Sequence, residues 1–166
     1  FFRTYFNLGT SQRIRGIELS YSQQLRFLRN EFLRATTLWA NYSQTSSTPR
    51  PRVSTRYVPR GASGGFKWSY GKYYLAVSGT WTDETFTGSN TVPSNSIITP
   101  NAPEYLKPRT IIGVSARYKL TKNLSLFVTG DRAYDSGKIW YYKYDGRIRQ
   151  VERYGSQWSV GVQGNY

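Results

Sequence analysis

Residues 154–166, Tyr-Gly-Ser-Gln-Trp-Ser-Val-Gly-Val-Gln-Gly-Asn-Tyr, alternate with a period of two. Trp158, Val160, Val162 and Tyr166 fall on one face together with Gly164, while Gln157, Ser159, Gly161, Gln163 and Asn165 fall on the other. No charge follows Arg153. An edge strand in a soluble sheet is usually blocked by Lys or Pro; this one carries neither and is suited to being paired. About ten alternating residues are also what a strand tilted by about 45° needs to cross a bilayer. A soluble sandwich strand shows the same alternation, so the rest of the chain has to separate the two.

Composition removes several classes. The 166 residues include no Cys, no His and no Met. That excludes disulfides, thiolate nucleophiles and thiolate metal sites, and it removes the commonest general base and metal ligand. With 9 acidic residues as the only remaining acid–base groups of that kind, no enzyme and no cofactor are expected. Residue 1 is not an initiator methionine, and neither a signal peptide nor a long apolar helix is present, so the chain reads as beginning part-way through a larger protein. Aromatic residues reach 17%, with 15 Tyr and 5 Trp. Such a content beside many polar residues suits a barrel whose strands face lipid on one side and a polar lumen on the other. The net charge of +14 also raises nucleic-acid binding as a competing class.

Along the chain the same alternation recurs. In residues 13–25, Ile17, Leu19 and Tyr21 oppose Glu18, Ser20 and Ser22. Residues 23–34 carry mixed residues read as a turn around 28–31, with a single helical turn as the other option, and lead into a strand over 32–44. Residues 43–60 hold Pro49, Pro51 and Pro59 among Arg50, Arg52, Arg56 and Arg60, which predicts a basic loop. Residues 62–70 and 73–85 form the clearest hairpin, joined by Gly71-Lys72 in a turn of type II′. Residues 86–106 read as a long neutral loop, and length of that kind is usually functional or mobile. In residues 109–120, Arg117 and Lys119 share one face while Ile112, Val114, Ala116 and Tyr118 share the other. Thr121-Lys122-Asn123 makes a tight turn into a strand from Leu124, and Asp145-Gly146 signals a type I′ hairpin between residues 138–144 and 147–154. Asp131 and Asp135 lack the further ligands that a cation site needs.

Three stretches resemble one family. Arg-Gly-Ile-Glu at residues 15–18, Val-Pro-Arg at 58–60 and, most closely, residues 124–136 (Leu-Ser-Leu-Phe-Val-Thr-Gly-Asp-Arg-Ala-Tyr-Asp-Ser) are similar to strands of TonB-dependent outer-membrane receptors. The family normally has Asn-Leu where this chain has Arg132-Ala133, so no role of that Asn is carried over. The terminal alternation resembles the closing strand of outer-membrane barrels, in which the last aromatic belongs to the assembly signal; here that signal is Trp158, Val160, Val162 and Tyr166. The resemblance implies an all-β fold, an antiparallel up-and-down transmembrane β-barrel segment of about seven strands from a larger barrel of the 22-stranded type. An odd count of crossings places residue 1 on the extracellular side, so residues 1–166 are expected to be the C-terminal part of the barrel domain, without the plug.

The implied function is uptake of a scarce ligand of the siderophore, cobalamin or oligosaccharide class across the bacterial outer membrane. The implied partners are outer-membrane lipid and lipopolysaccharide, the remainder of the barrel with its plug, the TonB complex through absent segments, and the barrel-assembly machinery. For ligand capture the candidates are the loop arginines Arg50, Arg52, Arg56, Arg147, Arg149 and Arg153; lumenal contacts to plug or ligand fall to Glu18, Arg117 and Lys119. A positive cleft raises local anion concentration, and neutralisation of lipopolysaccharide phosphates explains the same excess of charge. Two other classes stay open: a small stand-alone barrel acting as an adhesin or lipid-modifying protein, and a soluble basic β-domain for nucleic acid. The latter needs aromatics exposed on the same face as Arg and Lys. Here the strand aromatics mostly share a face with Leu and Val, so no nucleic acid is expected.

Overall fold

The computed structural model describes residues 13–48, 58–90, 102–143 and 145–164. Seven strands form one antiparallel sheet in the order β1 (Arg13–Gln24), β2 (Thr36–Thr48), β3 (Arg60–Tyr70), β4 (Tyr73–Thr82), β7 (Arg109–Lys119), β8 (Leu124–Asp135) and β11 (Trp158–Gly164). Four more strands, β5 (Thr85–Asn90), β6 (Ala102–Leu106), β9 (Lys138–Tyr142) and β10 (Ile148–Glu152), form a second sheet in the order β10-β9-β6-β5. That order repeats the order of β11, β8, β7 and β4. Each short strand is the continuation of a long one beyond a bend, and the bends fall at Asp83-Glu84, Lys107-Pro108, Ser136-Gly137 and residues 153–157.

The seven long strands match the crossings read from the alternation, and the sheet's pairing register turns that alternation into a surface. Paired residues of neighbouring strands share a face, so Leu38, Phe66, Val77 and Val114 form one row across the sheet, and Trp68, Leu75, Ala116, Val128 and Val160 form the next. No described residue covers these rows. Val160 is 78% exposed, and among the described residues Tyr142 is the single large apolar side chain that is buried. A soluble domain of this size buries most of its large apolar side chains, so this face has no protein solvent. The opposite face carries Ser20, Asn41, Ser63 and Thr80 in one row and Thr37, Lys67, Ala76, Ser115 and Thr129 in another.

Aromatic rings bracket the apolar face. At the tight-turn end Phe32, Trp68 and Tyr70 pack together, with ring centroids 4.5 Å apart for Phe32 and Trp68, and Tyr73 meets Tyr118 at 5.0 Å. At the other end stand Tyr42, Trp81, Tyr134 and Trp158. Eight residue steps separate Tyr73 from Trp81, about 26 Å along the strand at ~3.3 Å per step. A tilt of about 40° brings this to roughly 20 Å of height, within the about 25 Å apolar band of an outer-membrane barrel. One pairing step beyond Trp81 the first ion pair on this face is met, Arg60 to Asp83 at 2.7 Å.

Turn chemistry accounts for the ends. Tyr70 pairs with Tyr73, so Gly71-Lys72 is a two-residue loop, and Gly71 has the positive φ of 57° that the expected turn needs at its first position. The Thr121 hydroxyl accepts from the backbone of Asn123 and Leu124 and closes the next turn. Residues 31–34 form the single helical turn, α1 (Glu31–Arg34), capped by the Asn30 side chain on the Phe32 N–H at 2.9 Å.

Three sequence expectations change. Residues 86–106 are not loop throughout, because β5 and β6 pair with one another and β6 with β9. The Asp145-Gly146 turn is wider than type I′: the closing pair is Tyr142 with Arg147, and the Gly146 N–H returns to the Tyr142 carbonyl at 2.8 Å. Strand β2 begins at Thr36, because α1 takes the four residues before Ala35.

Candidate functional site at the polar face and its rim

The polar face of the seven-stranded sheet positions its charges by parity alone. Glu18 on β1 lies in the pairing row of Ser43, Gly61, Thr82 and Arg109. Arg117 on β7 lies in the row of Tyr74, Phe127 and Gly161, with its guanidinium 5.9 Å from the Tyr74 ring centroid. Lys119 lies one row further toward the tight turns, opposite Ser125. Glu18 and the Arg117–Lys119 pair therefore share a wall without meeting. Arg15 and Glu18, three apart on one strand, point to opposite faces.

At the bends the backbone leaves one sheet for the other, and side chains stitch the change of direction. Pro108 has no N–H to offer a ladder. Beside it, Arg109 donates from Nε to Asp135 at 2.9 Å and from a terminal nitrogen to the second carboxylate oxygen, and the Gly137 N–H donates to the same carboxylate. The Asp135 side chain is 0% exposed, so two hydrogen bonds from one guanidinium and one from a backbone N–H replace its water. Around Tyr154 stand three cations, Arg109, Arg132 and Lys138, at 5.6, 5.2 and 5.3 Å from the ring centroid.

Above the bend, Glu84 accepts from the Tyr141 hydroxyl and pairs with Lys143. Burial first, and then the hydrogen bond to the Glu84 carboxylate, push the Tyr141 hydroxyl up to about 12. Across the sheet, Glu104 is buried and receives Arg149 at 2.6 Å and the Thr87 hydroxyl at 3.3 Å. Between the ends of β2 and β3 and the second sheet lies a cavity of about 670 Å³, lined among others by Arg60, Asp83, Glu84, Phe86, Tyr105 and Lys143. Charged pairs on aromatic walls suit a polar ligand with an apolar body.

The arrangement places the expected residues as follows. Arg147 pairs with Asp145 at 3.2 Å, Arg149 holds Glu104, and Arg153 is exposed between β10 and β11. Arg50, Arg52 and Arg56 lie outside the described residues, as does Tyr166. Trp158, Val160 and Val162 lie in the apolar rows on the edge strand, each more than half exposed. Among the described residues no group of three or more acidic side chains gathers as a metal would need, and Asp135 is taken by Arg109. The sequence reading did not find the Glu84–Tyr141–Lys143 and Glu104–Arg149 contacts. Their one visible trace is a pair of carboxylates, Glu84 and Glu104, bracketing an otherwise neutral stretch.

The TonB dependent receptor-like, beta-barrel family matches residues 2–131, which cover all but the end of β8, the β9–β10 hairpin and the closing strand. No match is found among curated proteins or among solved structures. The family lies in the outer membrane and transports rather than catalyses. The antiparallel wall with its uncovered apolar face agrees with that match, which spans more than half of the chain: the chain belongs to the TonB-dependent receptor-like β-barrel family.

Proposed function

We propose that residues 1–166 are the C-terminal part of the barrel of a receptor that imports a scarce ligand of the siderophore, cobalamin or oligosaccharide class across the bacterial outer membrane. The observation that carries this reading is the pairing of the wall. Among the described residues β1 pairs only with β2 and β11 only with β8, so both edges offer backbone groups to further strands. In hydrocarbon such groups need partners, because no water is there to satisfy them. The remainder of the barrel supplies these strands, the plug fills the lumen behind Glu18, Arg117 and Lys119, and the TonB complex drives release through segments outside this chain. Trp158, Val160, Val162 and Tyr166 present the closing strand to the barrel-assembly machinery.

In this reading the second sheet raises the wall above the outer aromatic row and holds its arginines at the entrance. Arg147, Arg149 and Arg153, with Arg50, Arg52 and Arg56, draw an anionic ligand toward the lumen, and those turned outward meet lipopolysaccharide phosphates. The test is uptake by cells carrying the intact receptor, using labelled ferric siderophores, cobalamin and oligosaccharides in turn. One of these is expected to be transported, and the Arg147→Gln/Arg153→Gln double variant to slow its uptake. Arg149→Gln is measured separately, because Arg149 also holds Glu104. Unchanged uptake when Arg147, Arg149 and Arg153 are all replaced by Gln disposes of the capture role, and failure of every ligand class disposes of the receptor reading.

A further inference from the structure

The connection between β1 and β2 differs from the other tight-turn ends. Gly71-Lys72 and Thr121-Lys122-Asn123 are short, whereas residues 25–35 build a longer foot that contains α1. This foot is apolar and basic together. Phe27 is 71% exposed, Phe32 and Leu33 are exposed too, and Arg26, Arg29 and Arg34 set against Glu31 leave a net charge of +2. None of the three arginines joins an ion pair among the described residues; the Arg26 guanidinium donates to the neutral Gln24 amide at 2.8 Å.

The foot is also fixed to the apolar face. The Trp68 indole N–H donates to the Phe32 carbonyl at 2.9 Å, the Ser69 N–H donates to the Ala35 carbonyl at 3.1 Å, and the Phe32 ring stacks in the aromatic cluster of Trp68 and Tyr70. Phe32 thus extends the lipid-facing rows past their last strand residue. A segment that joins exposed aromatics to arginines at the edge of an apolar band has the composition of an interfacial anchor, with rings at the acyl boundary and guanidinium groups at the phosphates.

We infer that residues 25–35 bind anionic phospholipid headgroups of the leaflet on the tight-turn side. Guanidinium groups recognise phosphate oxygens in pairs, and the surplus of charge selects phosphatidylglycerol over the zwitterionic phosphatidylethanolamine. This inference rests on the membrane reading above, so its test must tell the two apart.

The intact protein, with one added cysteine as the labelling site in residues 1–166, which hold none, and with any cysteine elsewhere replaced by Ser, is reconstituted into phosphatidylethanolamine vesicles containing brominated phosphatidylglycerol or brominated phosphatidylethanolamine at equal mole fraction. Fluorophores are placed at Phe27→Cys and, as the reference, at Val160→Cys. Both probes are expected to be quenched, with position 27 preferring the brominated phosphatidylglycerol and position 160 showing no preference. Neutralising Arg26, Arg29 and Arg34 to Gln lowers the preference at 27 by up to about fivefold per arginine and leaves position 160 unchanged, which also reports that the wall is still folded. Quenching at 160 with none at 27, or a preference that survives the triple substitution, overturns the inference alone. Crosslinking of position 27 to a protein instead of lipid does the same. Absence of quenching at 160 sinks the membrane reading itself.

Discussion

Four strands of the seven-stranded wall continue into the four-stranded sheet above it, yet the two sheets are held together differently. In the wall the large apolar side chains face outward, and among the described residues nothing covers them and the body of the apolar face has no ion pair. In the upper sheet the buried residues Thr85, Glu104 and Tyr142 gather, and of the five ion pairs among the described residues three lie in it or reach into it; the other two sit on the bends. The change comes within a few residues on β4, β7, β8 and β11. A boundary shared by four strands is set from outside, by the end of the hydrocarbon, and the chain answers it with Pro108, Gly137 and paired charges where the solvent changes.

The comparison breaks most readily by placing a charge on each side of that boundary. Val114→Arg puts a guanidinium in the middle of the lipid-facing rows and is expected to cost about 2 to 4 kcal/mol. Val151→Arg, on β10 in the upper sheet, is expected to stay within about 0.5 kcal/mol. Urea titration of the intact protein in lipid vesicles, followed by heat-modifiable electrophoretic mobility, measures both. A cost at Val114 as small as that at Val151 would mean that the rows of Val77 and Val114 face water and not hydrocarbon.

The bend itself is sharpened next. Asp135→Asn removes a buried charge while leaving Arg109 in place, so the guanidinium keeps a weaker acceptor and loses its ion pair. About 2 to 3 kcal/mol is expected, in the range for hydrogen bonds to charged groups. The loss should concentrate above the bend, with hydrogen exchange rising in β6 and β9 before it rises in β7. Uniform loss through the wall would make Arg109 and Asp135 part of the barrel, with no special place at its rim.

Which of these features were readable beforehand follows from their physics. The crossings were legible because lipid on one side and polar groups on the other force a period of two, and Ile17, Leu19 and Tyr21 or Ile112, Val114 and Ala116 display it without reference to any partner. The placing of Glu18, Arg117 and Lys119 on the polar face came with the same parity. Strand β5 was hidden, since Thr85-Phe86-Thr87-Gly88-Ser89-Asn90 has a single large apolar residue and its pairing depends on β6, which in turn leans on β9. The rim contacts were hidden for a related reason. Arg109 meets Asp135 from 26 residues away and Tyr141 meets Glu84 from 57, and only the register of several strands brings them together.

Within the wall, close backbone approach ranks the next pair of substitutions. A Cβ on Gly65 overlaps the Val77 carbonyl, so Gly65→Ala forces two central strands apart and is expected to cost about 1 to 2 kcal/mol. A Cβ on Gly161 would stand 2.7 Å from the far end of the Phe127 ring, which can rotate away toward the lumen, so Gly161→Ala is expected to cost less than about 1 kcal/mol. The same vesicle titration reads both. If Gly161→Ala is the worse of the two, Phe127 is held by something in the lumen.

The smallest effect is confined to high pH and isolates the upper sheet. Folding raises the Tyr141 hydroxyl from its ordinary 10 to about 12, because the neutral phenol donates to Glu84 in a partly dry place. A group whose folded value is the higher contributes stability that is complete below pH 10 and is lost as pH rises through about 12. Tyr141→Phe is therefore expected to remove a phenolate component, seen by its absorbance near 295 nm, that rises only above about pH 11 in the intact protein. The variant should match wild type in thermal stability at pH 11.5 more closely than at pH 8, since by then the contact is already weakening. If the missing component titrates near pH 10, water reaches Glu84 and Tyr141, and the dry side of the rim is confined to Glu104 and Asp135.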